Sequence, residues 1–345
     1  MRLHRSFLLA GVVAATMTAC SSVGGGTSTT AAGGHTAGTS PSSRLKVAFV
    51  SQVEGIPYFE SFKQGAEQEA AKLGISYTQA GPSTADSTQQ LQIFNSLITQ
   101  GYKVIAISPL DPSSLDPAIA AARGKGVDVI TADADAPDSE RQVFVEQATN
   151  QALGYTAMDQ IAQQTHGTGE YGIISGAPDT ETFTNWIKYI ELRQQARYPQ
   201  MKLVGGIQYT TSTAQALSAA QNVMTANPGL KALIAIPSTA VPGVAQAVRN
   251  AGKTGQIAVT GYGSPKTALP YVEDGVMHST ILWDVPELGA LAVWAMQQVY
   301  DGKTFQPANT VPGFTTPIHY DPAQKTLILG PPTVFTKTNI TNYNF

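Results

Sequence analysis

Cysteine, charged residues and long apolar stretches are all scarce in this 345-residue chain. Cys20 is the single cysteine, so no intramolecular disulfide can form. Charged residues make up 13% of the chain and the formal net charge is −3. Binding to nucleic acid by counterion release requires a basic surface, so we expect no nucleic-acid partner.

An apolar stretch near the N-terminus, SFLLAGVVAATM, has signal-peptide length and is too short to span a bilayer as a mature helix. It follows a short basic start and ends just before Met17-Thr18-Ala19-Cys20, which resembles the bacterial lipobox. In a lipobox the cysteine is lipid-modified and becomes the mature N-terminus. We therefore expect a lipoprotein signal peptide at 1–20, lipidation at Cys20, and a membrane-anchored body facing the extracytoplasmic side. The alternative is a plain secretory signal with an incidental cysteine.

The segment after the cysteine is poor in both charge and bulk. Residues 21–43 contain no Asp, Glu, Lys or Arg and almost no large apolar side chain. Such a composition buries too little surface to offset the entropy of ordering the chain. It predicts a flexible tether over 21–44, between the lipid and the folded body.

From Leu45 onward, short β-type runs alternate with helical patterns. LKVAFV, VIAIS and VDVITAD are continuous apolar runs of the kind found in strands buried on both faces. Strand and helix in regular succession predict right-handed βαβ units around a parallel sheet, and the pattern restarts near Asn150. The fold class is therefore α/β, with two doubly wound parallel-sheet lobes. We place the N-terminal lobe at 45–149 plus 285–320 and the C-terminal lobe at 150–284 plus 321–345.

Motifs for most enzyme classes are missing. Two Gly-Lys-Thr tripeptides lack the upstream glycine of a P-loop, and neither a dinucleotide-binding glycine motif nor a nucleophile elbow occurs. The five histidines are scattered, so we expect no metal site, and no cofactor. A carboxylate pair such as Asp133 and Asp135 could still serve a glycosidase, so that hypothesis stays open at this point.

Ligands of open α/β sheets bind outside the carboxyl ends of the strands, so residues at those ends are candidate site residues. Aromatic faces and hydrogen-bonding groups dominate there, which suits a polyhydroxylated ligand. The candidates are Gln52, Tyr58, Phe59, Ser108, Asp133, Asp135, Asn185, Trp186, Ser238, Tyr262, Trp283 and Asp284.

Several of these residues have a structural alternative. Tyr58 or Phe59 could belong to the core, Asp133 could cap a turn, and Ser238 could cap a helix. Asp135 could be a loop neighbour of Asp133 rather than a ligand contact. Trp283 and Asp284 could act structurally where the chain returns to the first lobe.

The body resembles a known family over about residues 45–345. IPYFESFKQGAEQEAAKLG, VITADAD, NWIKYI and ILWDVPELG are, in their order and spacing, similar to the type I periplasmic sugar-binding proteins of ABC importers. The likeness is to the ribose-binding class, and within it to the branch of autoinducer-2-binding and rhamnose-binding proteins. The resemblance implies two lobes joined by three crossovers, a permease partner and no catalysis. It also implies that Tyr58 and Phe59 pack on the ligand and that Asp133 accepts its hydroxyl protons. Ser238 and Asp284 fall at ligand-contact positions.

The sequence departs at charged positions from the proteins that it resembles. Ala134 stands where ribose-binding proteins have an arginine, and Gly263 where they have an aspartate. Gln52 stands in place of the lysine of autoinducer-2 binders, and Thr182 and Phe183 in place of their Asp-Gln pair. Lost hydrogen-bond partners weaken binding, because groups of the ligand are left unpaired.

These departures favour a small neutral ligand such as a pentitol, tetritol, pentose or deoxyhexose. We expect a monomeric, lipid-anchored solute-binding protein that delivers this ligand to an ABC permease. The alternatives are a receptor that senses autoinducer-2 or a sugar for signalling, the carboxylate-pair hydrolase, and a cytoplasmic sugar-responsive repressor. The leader, and the lack of a helix-turn-helix segment before Leu45, argue against the repressor.

Overall fold

The computed structural model describes residues 44–345. The predicted signal peptide, the lipidation site at Cys20 and nearly all of the tether lie outside these residues. Within them, no helix is both long and apolar enough to span a membrane.

The described chain alternates strands and helices, as predicted. The strands are β1 Lys46–Val50, β2 Ser76–Ala80, β3 Val104–Ile107, β4 Asp128–Ala132, β5 Phe144–Glu146, β6 Gly169–Ser175, β7 Met201–Tyr209, β8 Leu230–Ala235, β9 Ala258–Gly261, β10 Ser279–Leu282, β11 Ala308–Asn309, β12 Ile318–Asp321, β13 Thr326–Ile328 and β14 Thr333–Thr336. The α-helices are α1 Pro57–Leu73, α2 Ser87–Thr99, α3 Pro112–Gly124, α4 Asn150–Thr165, α5 Glu181–Arg197, α6 Thr213–Ala226, α7 Ala240–Asn250, α8 Pro265–Glu273 and α9 Val285–Tyr300.

The first lobe is built on an eight-stranded sheet in the order β11-β12-β13-β5-β4-β3-β1-β2. Its central strands are parallel, and β1 and β3 are buried almost throughout, as their continuous apolar runs predict. The parallel order places the carboxyl ends of β1, β3 and β4 at one edge of the sheet.

The second lobe carries a four-stranded parallel sheet in the order β7-β6-β8-β9, with a two-stranded antiparallel pair of β10 and β14. The chain enters this lobe between β5 and α4 and leaves it after β10. The predicted α/β class with two parallel-sheet lobes is confirmed.

The predicted end of the first lobe at residue 320 is wrong. Strand β13 pairs with β5 of the first sheet, so residues 326–328 belong to the first lobe. The chain returns to the second lobe only between Ile328 and Thr333. The β12–β13 hairpin extends a distant sheet, and no local pattern in the proline-rich tail indicates that pairing.

Helices α1 and α9 cross in close contact and fix the start of α9 to the first lobe. A Cβ atom on Gly65 would lie 1.8 Å from the Pro286 carbonyl oxygen, and one on Gly289 would lie 2.1 Å from the Phe62 carbonyl oxygen. Only glycine allows two backbones to approach so closely. Tyr58, in the first turn of α1, and Trp283, two residues before α9, are thereby held next to each other.

Candidate functional site

A cavity of about 560 Å³ lies where the carboxyl ends of the strands of both sheets face each other. Eight of the twelve predicted site residues line it. They are Gln52, Tyr58, Phe59, Asp133, Trp186, Ser238, Tyr262 and Trp283. Most of the residues predicted from the strand ends therefore lie around one cavity, which we call the cleft.

Asp133 directly follows β4 and is held by the first lobe. Its backbone has a φ of 72°, in the left-handed region that few residues other than glycine adopt. The Asp133 amide donates to the Val145 carbonyl oxygen at 3.1 Å. Hydroxyl groups donate to both carboxylate oxygens, Tyr58 Oη to Oδ1 and Ser108 Oγ to Oδ2, the latter at 2.8 Å. A carboxylate has about four acceptor positions, so capacity remains for two hydroxyl groups of a ligand.

Burial dominates the electrostatics of this carboxylate. It raises the pKa of Asp133 to about 6, against the opposing effect of the hydrogen bonds from Tyr58 and Ser108. Burial, followed by the negative charge of Asp133, raises the pKa of Tyr58 well above its usual value. At neutral pH Tyr58 is therefore a hydrogen-bond donor and Asp133 an acceptor.

Aromatic rings form a continuous wall between the lobes. Tyr58 lies 5.0 Å from Phe59 and 5.9 Å from Trp283 between ring centroids. Trp283 lies 6.2 Å from Trp186, which in turn packs 4.4 Å from Tyr262. Such a wall offers π-faces to the C–H surface of a small ligand.

The two indole groups of this wall differ from the other polar groups around them. Trp186 and Trp283 are buried, and the Trp283 indole faces the Tyr58 hydroxyl, whereas the Trp186 Nε1 atom has no hydrogen-bond partner within residues 44–345. Tyr262, by contrast, donates to the Leu153 carbonyl oxygen at 3.1 Å. Buried donors are almost always paired, so the Trp186 indole is a candidate to donate to a bound ligand or water.

Asp135 does not line the cleft, and its predicted role as a ligand contact is not supported by its position. Arg141 donates to both of its carboxylate oxygens at 2.6 Å, and Thr131 donates at 2.5 Å. The same guanidinium donates to the carbonyl oxygens of Gln324 and Lys325. The absence of an arginine at position 134 therefore does not leave the acidic pair without a cation, because Arg141 reaches Asp135 through the loop.

Three further candidates lie outside the wall of the cleft. Ser108 acts on it indirectly, through its bond to Asp133. Asp284 caps α9, where it accepts from the Glu287 amide at 2.9 Å, and Asn185 does not line the cavity. This capping role is the structural alternative described above for Asp284, and it accounts for an aspartate at the start of a long helix.

The loops after the edge strands β2 and β7 supply site residues that the sequence reasoning missed. The carboxyl-end rule applies to those strands as well and could have found them. The missed lining residues with hydroxyl groups are Ser83 and Thr84 after β2, Thr210 and Thr211 after β7, and Thr180 between β6 and α5. Thr182 and Phe183, noted above only as departures, also line the cleft.

Phe183 gives the second lobe an apolar surface. A Cβ atom on Gly176, at the end of β6, would lie 2.4 Å from the Phe183 ring, so the ring rests directly on the backbone there. The ring also lies 5.9 Å from Trp186. Within the described residues, Asp133 is the only charged side chain that lines the cleft, and no group of three or more metal-ligating side chains occurs.

Comparison with known proteins supports this description. The periplasmic binding protein domain family matches residues 47–304. The D-allose-binding periplasmic protein of Escherichia coli is 30% identical over 289 residues, which cover 80% of this chain and 91% of the relative. The xylitol-binding protein of Mycolicibacterium smegmatis is 27% identical, over 89% of this chain and 83% of the relative.

Among solved structures, LsrB from Clostridium saccharobutylicum in complex with AI-2 superimposes with a TM-score of 0.81. It is 25% identical and covers 87% of this chain and 100% of its own. The first two are named as binding proteins and the third is in complex with AI-2, so the prediction of a substrate-binding protein and not an enzyme is confirmed. The chain belongs to the periplasmic binding protein domain family, within the type I sugar-binding proteins of ABC importers.

Proposed function

We propose that this protein captures a small neutral sugar or sugar alcohol in the cleft and delivers it to an ABC permease. The ligand is a pentitol, tetritol, pentose or deoxyhexose. In this proposal a lipid on Cys20 anchors the protein, as a monomer, on the extracytoplasmic face of the membrane.

The observation that carries the proposal is the placement of Asp133. A single carboxylate, already oriented by Tyr58 and Ser108, faces a cavity whose described wall has no other charged side chain. An anionic ligand would be repelled by Asp133. A cation could bind to aromatic rings beside a carboxylate, so the charged controls of the panel test that alternative. A neutral ligand with several hydroxyl groups fits both the acceptor and the rings.

The ligands of the relatives support the same chemical class. D-allose and xylitol are neutral and polyhydroxylated, and the proteins named for them cover most of this chain. Gln52, Ala134 and Gly263 replace charged residues of the ribose and autoinducer-2 binders. Their presence favours a ligand that is bound through few ionic contacts.

Ligand capture would favour closure of the two lobes. Asp133 belongs to the first lobe, and Trp186 and Ser238 belong to the second, so one ligand can contact all three only when the lobes approach. Binding free energy that exists only in the closed form shifts the population toward it. In the proposed cycle the closed form then docks on the permease.

A thermal-shift panel tests the proposal directly. Pentoses, pentitols, tetritols, deoxyhexoses and D-allose are added to the purified protein at pH 7. A ligand at 100 times its Kd stabilises the folded state by about 2.7 kcal/mol, which gives a shift of several degrees. Glucuronate and glucosamine serve as charged controls and should give no shift. If no neutral compound stabilises the protein, the proposed ligand class is wrong.

A second candidate function is the sensing of autoinducer-2, favoured by the similarity to LsrB in complex with AI-2. Thr182, Phe183 and Gln52 argue against it, because they replace the charged and amide groups of autoinducer-2 binders. Adding autoinducer-2 to the same panel separates the two functions, since the second predicts that it gives the largest shift.

A further inference from the structure

Gln90 is a fully buried polar residue in α2 that does not line the cleft. It occupies the buried face of the helix with Phe94 and Leu97, where helical periodicity predicts an apolar side chain. A buried amide lowers stability unless each polar atom is paired, so its presence requires partners.

All the polar atoms of Gln90 have partners in the loops at the edge of the first sheet. Nε2 donates to the carbonyl oxygens of Ser51 at 2.9 Å and Ser108 at 2.8 Å. Oε1 accepts from the Leu110 amide at 2.9 Å. Ser51 follows β1 and Ser108 follows β3, so one side chain fixes the ends of two neighbouring strands.

These loops lead directly to the proposed ligand acceptor. Ser108 donates its hydroxyl to Asp133, and Leu110 lines the cleft. Gln52, one residue after Ser51, donates to the Pro109 carbonyl oxygen at 3.0 Å and so ties the same two loops together.

We propose that Gln90 is a positioning residue for the binding site: it holds the ends of β1 and β3 so that the Ser108 hydroxyl stays directed at Asp133. The predicted effect of Gln90 on ligand affinity rests on the proposed function. Its effect on the surroundings of Asp133 can be measured in the ligand-free protein.

The surroundings of Asp133 make its titration a sensitive probe. Tyr58 from α1 is the titratable group that faces it, and Ser108 after β3 is its other partner. Asp135 and Arg141 in the following loop neutralise each other. Burial raises the pKa of Asp133 and the Ser108 hydrogen bond lowers it, so displacement of Ser108 should raise that pKa further.

The experiment is an NMR titration of the Asp133 carboxyl carbon in ligand-free full-length protein, with the signal assigned by its absence in Asp133→Asn. Gln90→Met keeps the length of the side chain and removes its hydrogen bonds. Gln92→Leu is the matched control, because Gln92 lies on the exposed face of the same helix. We expect the pH midpoint of the Asp133 titration to rise by about half a pH unit or more in Gln90→Met and in Ser108→Ala. In Gln92→Leu it should stay unchanged.

The double variant of Gln90→Met with Ser108→Ala distinguishes positioning from a general loss of stability. If Gln90 acts through Ser108, the double variant shows no larger rise than Ser108→Ala alone. A lower melting temperature with an unchanged midpoint in Gln90→Met would overturn the inference. If Gln90→Met does not fold, Gln90→Asn, whose amide is one methylene shorter, is read by the same titration.

Ligand affinity is measured separately, with whichever panel compound binds the wild type. Gln90→Met should weaken binding about tenfold and Gln92→Leu should not. Failure of the whole panel would contradict the proposed function but not the titration result, so the two failures are distinguishable.

Discussion

The two walls of the cleft differ in how their central polar groups are held inside the protein. On the first lobe, Asp133 accepts from Tyr58 and from Ser108, which is held in turn by Gln90. On the second, Tyr262 and Thr210 are paired, but the Trp186 indole has no partner within the described residues, and the N-cap residues of α5 and α7 make no side-chain capping bond. The acceptor of the first wall is oriented before the ligand arrives, whereas the second wall keeps a donor that a ligand or water can satisfy.

This difference suggests that the two lobes contribute to ligand binding in different ways. A pre-ordered acceptor lowers the entropy lost on binding and selects for the arrangement of hydroxyl groups. An unpaired donor on the opposite wall gains its partner only when the lobes approach, so it favours the closed form. Changes in the first wall should therefore have larger effects on affinity than changes in the second.

Asp133→Ala should have the largest effect. Two charge-assisted hydrogen bonds to the ligand, at about 1.5–3 kcal/mol each, would be lost, so affinity should fall about a thousandfold. Titration calorimetry with the best panel compound measures this loss. Asp138→Ala, an exposed aspartate in the same loop, is the control and should bind as the wild type does.

Two bidentate Arg–Asp pairs, one in each lobe and both outside the cleft, extend the comparison to the stability of the lobes. Arg141 is 4% exposed and holds Asp135, whereas Arg193 is 25% exposed and holds Asp159 at 2.8 Å through each of two nitrogens. Arg141→Leu leaves a largely buried carboxylate unpaired and should lower the free energy of unfolding by about 3 kcal/mol. Arg193→Leu should lower it by less than about 1 kcal/mol. Urea unfolding measures both, and equal losses would contradict the comparison.

Much of this architecture could be predicted from the sequence, because it depends on local patterns. Continuous apolar runs indicate β1, β3 and β4, and the strand-end rule places Asp133 at the cleft. The ion pair of Asp135 could not be predicted in this way, since Arg141 reaches back across a loop whose path no periodicity describes. The pairing of β13 with β5 joins segments about 180 residues apart and left no local signal.

The pH dependence should have opposite signs for binding and for stability. Affinity should fall about tenfold between pH 7 and pH 5, because Asp133 with a pKa of about 6 becomes protonated and loses acceptor capacity. The folded-state pKa lies above the ordinary value of 3.8, so the stability that Asp133 contributes is present at low pH and is lost as pH rises through about 6.

Asp133→Asn separates these two effects. The amide oxygen can still accept from Tyr58, and the amide NH2 can donate to Ser108 Oγ. Because the side chain then carries no buried charge, ligand-free Asp133→Asn should be more stable than the wild type at pH 7 by about 1 kcal/mol. Its binding should be weaker and nearly independent of pH between 5 and 7. Chemical denaturation and calorimetry at the two pH values measure both quantities. A less stable variant would mean that the carboxylate is not under the burial penalty inferred for it.

Trp186→Phe should have the smallest effect, because it alters the second wall and keeps an aromatic face. The change removes a buried donor without a protein partner, so stability should change little while affinity falls about fivefold, or about 1 kcal/mol. Trp294→Phe is the control, since Trp294 lies on α9 and does not line the cleft. If affinity is unchanged in Trp186→Phe, the indole does not donate to the ligand.

Titration calorimetry of one neutral polyol or sugar against wild type and Asp133→Ala at pH 7 tests the central claim most directly. The predicted result is saturable one-to-one binding to the wild type, binding about a thousandfold weaker to Asp133→Ala, and circular dichroism spectra that show both proteins folded. Equal affinity for the two proteins would contradict the claim that Asp133 in the inter-lobe cleft is the acceptor for the ligand.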